Sequence, residues 1–439
     1  MANKLLKYND QYLSEQRTYI YDGKNPPVDF FAINSFDFKG NSEKKCIEVT
    51  KLDDGGITIE TIYFIGVDWL TNEQPIYIEP KLNDKAANTN YLQMLISALQ
   101  HPELAEHTSK LYDINFEKET IAIEQEQDLL TPLLVIHFLS IVKEIVRKGL
   151  KKSYYKVENN LFGRIKGKVM VGQTIKQNHF KNKPLNTYCN YDEFGLNGLE
   201  NRLLKKALVF VQRYLQSIKN LEAGKYAEQT FGYIMPAFDF ISDEANINDI
   251  KHTKTNAFYK EYKDALHLAK LILKRFGYNI NNTQEDTIQT PPFWIDMSKL
   301  FELYVLGLLK DRFGDKVSYH DYIKGNELDY LLNCTENGKV YKMVIDAKYK
   351  KKYKNSGMAG YDIEDIRQVS GYARLKKVQK HLFDDLEANK LVDCLIIYPN
   401  QEIKRDTLIG EDLFRQQLEP NDFAGFFKIS VSLPVIGKE

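Results

Sequence analysis

Glu327-Leu328-Asp329-Tyr330-Leu331-Leu332 and, beyond a turn at Asn337-Gly338, Val340-Tyr341-Lys342-Met343-Val344-Ile345-Asp346-Ala347-Lys348 read as the two arms of one hairpin. Asn-Gly is the strongest short-range signal for a two-residue turn, because both central positions of a type I′ turn need positive φ. Such a turn fixes the register. Residue 336 faces 339, Asp329 falls opposite Asp346, and Glu327 falls opposite Lys348. Side chains two apart share a face of a strand, so all four project from one side, with opposed Cβ atoms about 4.5–5.5 Å apart. Two carboxylates held so close repel each other. A divalent metal bound by hard oxygen ligands relieves that repulsion most simply.

Working outward, Phe293-Trp294-Ile295-Asp296-Met297-Ser298 precedes an apolar helical spacing at Phe301, Val305, Leu308 and Leu309, for which Ser298 is a plausible cap. Beyond the hairpin come a basic tail, Lys348 to Lys354, and a Gly357/Gly360 loop. A single helix is then expected over about 362–383, followed by strands at 392–398 and 427–431. Upstream, about 17–83 has strand-like patterning, with one strand at Thr58–Ile65 after the Gly55-Gly56 turn and another at Pro75–Lys81. Residues 90–150 switch to helical spacing. His137 lies in an apolar stripe there, where a core histidine is the better reading than a ligand.

The stretch 151–185 interleaves Lys151, Lys152, Lys156, Arg164, Lys166, Lys168, Lys176, Lys181 and Lys183 with Tyr154, Tyr155 and Phe162. Such a pattern suits a phosphate backbone and equally a solvated strand face. Helices resume near Asn201 and over about 254–276, and the polar segment Asn279 to Pro292 reads as a linker. The expected division is therefore an α/β (α+β) multidomain chain. Residues 1–150 are β-rich then helical, 151–290 are basic then helical with DNA contact, and 291–439 form a last domain with a central mixed sheet flanked by helices.

Composition bounds the rest. A chain of 439 residues with 43% hydrophobic content can build two or three cores. Lysine plus arginine and aspartate plus glutamate number 60 each, so a nucleic-acid surface must be local rather than global. The four cysteines, at 46, 189, 334 and 394, are dispersed, which argues against zinc and disulfides and for a reducing cytoplasm. No signal-peptide core and no apolar run of about 18 residues is present, so no membrane association is expected.

A tripeptide of the form Asp-x-Lys carries little by itself: Asp22-Gly23-Lys24, Asp37-Phe38-Lys39 and Asp249-Ile250-Lys251 share it. What distinguishes Asp346-Ala347-Lys348 is its place at the end of an apolar strand facing Asp329. Two carboxylates and the Ala347 carbonyl suit Mg²⁺, with Mn²⁺ as a substitute, and Lys348 would neutralise a scissile phosphate or help deprotonate water. A salt bridge to Glu327 is the simpler role for Lys348.

This set resembles the signature of PD-(D/E)xK nucleases, with Leu328 where that signature usually carries proline. The resemblance implies that Glu302, in the preceding helix, completes the metal site with Asp329, Asp346 and Ala347. It also implies that Gln368 and Tyr372 are the Gln-x-x-x-Tyr element of RecB-like members, leaning over the site from one helix face. Gly371 within that helix is explained if it packs closely on the sheet or on DNA.

More narrowly, Phe293 to Val305, Val344 to Lys350 and Asn201 to Leu208 are similar to the McrC subunits of McrBC modification-dependent restriction systems. Gly163-Arg164-Ile165 and Ile78 to Lys81 are weaker echoes. That family implies a Mg²⁺-dependent endonuclease cutting double-stranded, 5-methylcytosine-bearing DNA, assembled with a McrB-like AAA+ GTPase that it stimulates through a docking region in residues 1–150. No Gly-x-x-x-x-Gly-Lys-Ser/Thr loop occurs in the sequence, so the motor lies elsewhere. A stand-alone or repair-type nuclease, and a non-catalytic scaffold activating an NTPase, are the alternatives.

Overall fold

The computed structural model describes residues 6–9, 33–51, 57–80, 87–101, 104, 107–108, 110–124, 128–215, 221–246, 259–277, 287–323, 326–336, 338–350, 362–383, 390–400, 413 and 423–437. In the first third these form β1 Leu6–Asn9, β2 Ile47–Lys51, β3 Ile57–Thr61, β4 Phe64–Trp69, β5 Pro75–Glu79, β6 Ala87–Thr89, α1 Tyr91–Leu99, β7 Tyr112–Ile114 and β8 Ile121–Glu124. The middle holds α2 Leu130–Lys148, β9 Ser153–Phe162, β10 Lys168–Val169, α3 Val171–Gln177, β11 Asn186–Gly195, α4 Leu199–Leu215, α5 Leu221–Ile234 and α6 Glu261–Gly277. The last third holds β12 Thr287–Thr290, β13 Phe293–Asp296, α7 Met297–Phe313, β14 Val317–Ile323, β15 Asn326–Glu336, β16 Lys339–Ala347, α8 Ile363–Ala373, α9 Lys376–Leu382, β17 Asp393–Pro399, β18 Phe426–Val431 and β19 Val435–Gly437. The fold is mixed α/β with several separate sheets.

Two compact units result, one made of Met1–Leu133 with Asn282–Glu439 and the other of Leu134–Asn281. The first unit draws on both ends of the chain. Its sheet β1-β5-β4-β13-β7 takes four strands from the first third and β13 from the last, so cutting the chain into consecutive thirds would separate hydrogen-bonded neighbours. Trp294 of β13 packs with Phe36, Phe38, Ile59, Phe64 and Ile76. Its indole Nε1 donates to Asp68 at 3.2 Å, satisfying the polar end of an otherwise apolar burial.

The second sheet of this unit, β14-β15-β16-β17-β18, is mixed: β14, β15 and β16 run antiparallel to their neighbours, while β16, β17 and β18 are parallel. Helix α7 contacts both sheets and lies against α1. Its buried residues surround the helix, from Leu300, Phe301 and Tyr304 to Leu306 and Leu309, as expected of a helix enclosed on all sides. At Gly307 an added Cβ would stand 3.1 Å from the Ser97 carbonyl oxygen, so glycine permits the close approach to α1. Helices α8 and α9 pack on the sheet through Ile366, Val369, Val378 and Leu382, against Val344, Cys394 and Ile396.

Several expected boundaries shift. The cap of α7 is Asp296, whose carboxylate accepts from Lys299 N–H at 2.9 Å; Ser298 lies inside the helix. The expected strand over 58–65 is two strands, β3 and β4. Strands β7 and β8 interrupt the helical stretch 90–150, and the helix expected over 362–383 breaks at Arg374-Leu375 into α8 and α9. Part of the expected linker is β12, which pairs with β8. The Gly55-Gly56 turn, Asn337, the tail beyond Lys350 and the Glu327 side chain lie outside the described residues. All four cysteines are buried free thiols. Among the described residues no helix is long and apolar enough to cross a membrane.

In the second unit, β9 and β11 form a ten-residue antiparallel ribbon, Ser153↔Gly195 to Phe162↔Asn186. Tyr154 and Phe162 are exposed on it, as are Arg164, Lys166, Lys168, Lys176, Lys181 and Lys183 nearby, whereas Lys151 is paired with Glu200 at 2.7 Å. His137 is a core residue: burial first, and repulsion from His267 second, push its pKa down to about 3.

Candidate active site

The hairpin ladder runs from Glu336↔Lys339 to Tyr330↔Ile345, the register that an Asn337-Gly338 turn requires, and Gly338 takes φ 76°. One step further, Asp329 and Asp346 come to the open end of the pair. There Asp329 Oδ2 accepts the Ala347 N–H at 2.8 Å, so a side chain takes the place of the backbone partner where the β15 ladder ends, while the other edge of β16 stays paired with β17 through Ala347. Asp346 is buried, and its Oδ2 has no hydrogen bond of normal geometry. The Lys348 ammonium stands 2.9 Å from that oxygen as an ion pair.

Electrostatics at these acids are unfavourable. Burial, then the charges of Asp346 and Glu302, raise the Asp329 carboxyl well above the usual carboxylate range. Asp346 is also raised, by burial outweighing the pull of Lys348, with Asp365 and Glu302 adding to the upward push. For Lys348, burial alone would favour the neutral amine, but Asp346 and Asp365 more than offset it and hold the ammonium. The two acids therefore favour the protonated ammonium of Lys348 at this site.

Helix α8 brings Gln368 and Tyr372 to the same place. Lys348 Nζ donates to Gln368 Oε1 at 3.0 Å, and Gln368 Nε2 donates to the Tyr372 hydroxyl at 2.8 Å. Of the two explanations for Gly371, close packing on the sheet fails, since a Cβ there would meet no protein atom within 4 Å; a close approach to DNA is left as the other. Glu302, on α7, is engaged otherwise: its Oε1 accepts from Lys299 Nζ at 3.1 Å and from the Tyr319 hydroxyl at 2.9 Å. Tyr330 donates to the Glu302 carbonyl at 2.7 Å, fastening α7 to the hairpin.

Among the described residues no three His, Cys, Asp or Glu side chains converge as a ready-made metal cage. The donor set nevertheless suits a hard cation. Asp329 and Asp346 are both buried with raised carboxyls, Asp329 in part through the charge of Asp346, and Lys348 is the cation beside Asp346; a divalent ion would offset the remaining repulsion. Lys299 and Tyr319 both bond the Glu302 Oε1, so Glu302 would join through its other oxygen or by exchanging these partners.

Sequence reasoning missed Asp365. It lies in the first turn of α8, where an acid reads as a generic dipole partner. In the folded chain it is buried and grips Lys350 Nζ with both oxygens, at 2.8 and 2.6 Å, while standing 3.8 Å from Lys348. It thus fixes both lysines that follow the second acid. Asp365→Ala is expected to lower the unfolding free energy by about 3 kcal/mol, since it strands buried ammonium groups. Denaturant titration checks this, and a loss under ~1 kcal/mol would mean the lysines find other partners.

A family profile described as McrBC 5-methylcytosine restriction system component matches residues 59–383. No curated protein matches the chain significantly. Among solved structures, the chain is similar to one in a refined half-complex from a tetradecameric assembly of Thermococcus gammatolerans McrB AAA+ hexamers with bound McrC. Identity there is 15%, over 98% of this chain and 94% of that one, with a TM-score of 0.41. It is also similar to a chain of the Thermococcus gammatolerans McrBC complex, at 14% identity over 70% of this chain and 87% of that one, with a TM-score of 0.30.

Proposed function

Because the chain belongs to the family of McrBC 5-methylcytosine restriction system components, we propose that it is the DNA-cutting subunit of such a system. In this reading, residues 291–439 carry a PD-(D/E)xK nuclease domain built on β14 to β18, and the substrate is modified double-stranded DNA in the cytoplasm. A McrB-like AAA+ GTPase, which this subunit stimulates, supplies recognition and movement; the chain has no phosphate-binding loop of its own. The observation that carries the proposal is the meeting of Asp329, Asp346 and Lys348 at the open end of the hairpin, with the buried Asp346 Oδ2 2.9 Å from the Lys348 ammonium.

Asp329 and Asp346 would hold Mg²⁺ or Mn²⁺, with the Ala347 carbonyl and Glu302 as further oxygen donors. The ion, when bound, supplies Lewis-acid activation of water and of the phosphodiester. Lys348 then presents a fixed positive charge to the phosphoryl oxygens, where charge accumulates in the transition state. Gln368 holds the lysine in place, and Tyr372 holds Gln368.

With the GTPase partner, GTP and Mg²⁺, the chain is expected to cut methylated duplex DNA. Chelation should abolish cutting, Mg²⁺ or Mn²⁺ should restore it, and Lys348→Ala should slow it by at least ~10²-fold. Cleavage that persists unchanged in chelator would refute the metal-dependent reading.

A further inference from the structure

A cleft of about 330 Å³ opens directly onto the proposed cutting site, and its walls come from opposite ends of the chain. Asp329 and Glu302 line one part, while Lys39, Lys44 and Lys110 line another, with Lys299 between. Lys299 is already engaged with Glu302 and Tyr319. The three lysines from the first third are exposed; burial first, and then the charges of Lys110 and Lys44 against the opposing pull of Asp113 and Asp296, disfavour the charged form of Lys39.

The loop carrying two of them is firmly built. Phe38 N–H donates to the Lys44 carbonyl at 2.8 Å, Lys44 N–H donates to the Asn41 carbonyl at 2.9 Å, and a β-bridge joins Asp37 to Lys45. Phe38 at its base is buried in the core of the first sheet. Lys39 itself adopts a left-handed conformation, φ 54° and ψ 31°, unusual for a residue with a side chain. Its N–H is held by the Asp113 carboxylate at 2.7 Å, on β7. Backbone strain of this kind persists only where surroundings over-determine it, and it gathers at functional sites. Like charges collected on a rigid rim beside an acidic floor call for an anion that reaches both.

We propose that Lys39, Lys44 and Lys110 form the phosphate-binding wall of the DNA path into the cutting site. The ligand is the sugar-phosphate backbone of the duplex next to the scissile bond. This rests on the nuclease reading for its substrate and goes beyond it in giving the first third of the chain a direct part in holding DNA. The cleft is small for a duplex, so the helix lies across its mouth and one strand's phosphates meet the lysines. Contacts of this type position the duplex without reading bases.

The test uses full-length protein carrying Asp346→Asn, which blocks cutting, with and without Lys39→Ala, Lys44→Ala and Lys110→Ala together. Fluorescence anisotropy of a labelled duplex is read over a salt series. Removing the three lysines is expected to weaken binding on the order of tenfold or more, and to reduce the slope of log K against log salt by about 3. The loss should be equal for methylated and unmethylated duplexes. In a background with Asp346 intact, the triple variant should raise KM with little change in kcat, and a thermal melt should match the parent.

Unchanged affinity and salt slope in the triple variant would overturn the proposal, even if the wild type cuts normally, as would a duplex that fails to bind the parent protein. Lysine-dependent binding by a protein that never cuts DNA would instead uphold this DNA path and refute the nuclease reading.

Discussion

Asp346→Asn is expected to abolish DNA cleavage by the assembled system, by more than ~10³-fold, while leaving the subunit folded and its partner's GTP hydrolysis stimulated. The carboxylate sits at the end of β16 with one oxygen buried against the Lys348 ammonium at 2.9 Å, beside the raised carboxyl of Asp329. Its pKa is raised in the folded chain. A raised carboxyl contributes stability below its unfolded pKa and loses it as pH rises through the folded value, so the shift of Asp346 works against folding at higher pH. Asparagine relieves repulsion on Asp329 but also takes from the buried Lys348 ammonium its nearest charged partner, so the two effects oppose each other and the melting temperature of the metal-free protein is expected to change little. Cleavage assays beside melting curves check both halves. Undiminished cutting would remove Asp346 from the chemistry, whereas lost cutting with a large fall in melting temperature would point to a packing role.

The largest effect on stability is expected at Gly66→Ala. Gly66 lies in the middle of β4, between Ile78 of β5 and Trp294 of β13, at φ 150°, a value that side chains rarely permit. A Cβ there would lie 2.0 Å from the Phe293 carbonyl oxygen and 3.1 Å from the Trp294 Cα. Both are backbone atoms of the paired strand, so no rotamer change can yield. The substitution must part β4 from β13, which leads directly into Asp296 and α7. A loss above ~4 kcal/mol follows, from sheet disruption and backbone strain together. Circular-dichroism melts decide the point: a variant melting within a few degrees of wild type would show that the strands can separate without harm.

Local patterns in the sequence were the most legible. A two-residue turn leaves one register, so the pairing of Tyr330 with Ile345 and the placing of Asp329 near Asp346 could be read in advance. Gln368 and Tyr372 were legible only through the resemblance to the Gln-x-x-x-Tyr element, and the four-residue spacing is what lets Tyr372 reach Gln368 as Gln368 reaches Lys348. Ser298 and Asp296 are both capping residue types two positions apart, and only the end of β13 at Asp296 decides that Asp296 caps α7. Asp365 looked like an ordinary first-turn acid, and only its partners Lys348 and Lys350 give it meaning. The lysine wall was invisible because Lys39, Lys44 and Lys110 come together through the pairing of β7 with β13, which no local period encodes.

That shared sheet also sets a timetable. β4 ends at Trp69 and waits for β13, which starts at Phe293, so 293 − 69 = 224 further residues must leave the ribosome before the two can pair. At ~5–20 residues per second the delay is on the order of 10–45 s, during which one edge of an apolar strand stays open. Pairings of such long sequence separation are intrinsically slow and prone to aggregation. A newly made chain can therefore hold neither the α7 cap nor the lysine wall until its last third is synthesised, and its capacity to hold DNA beside the acids arrives late and all together.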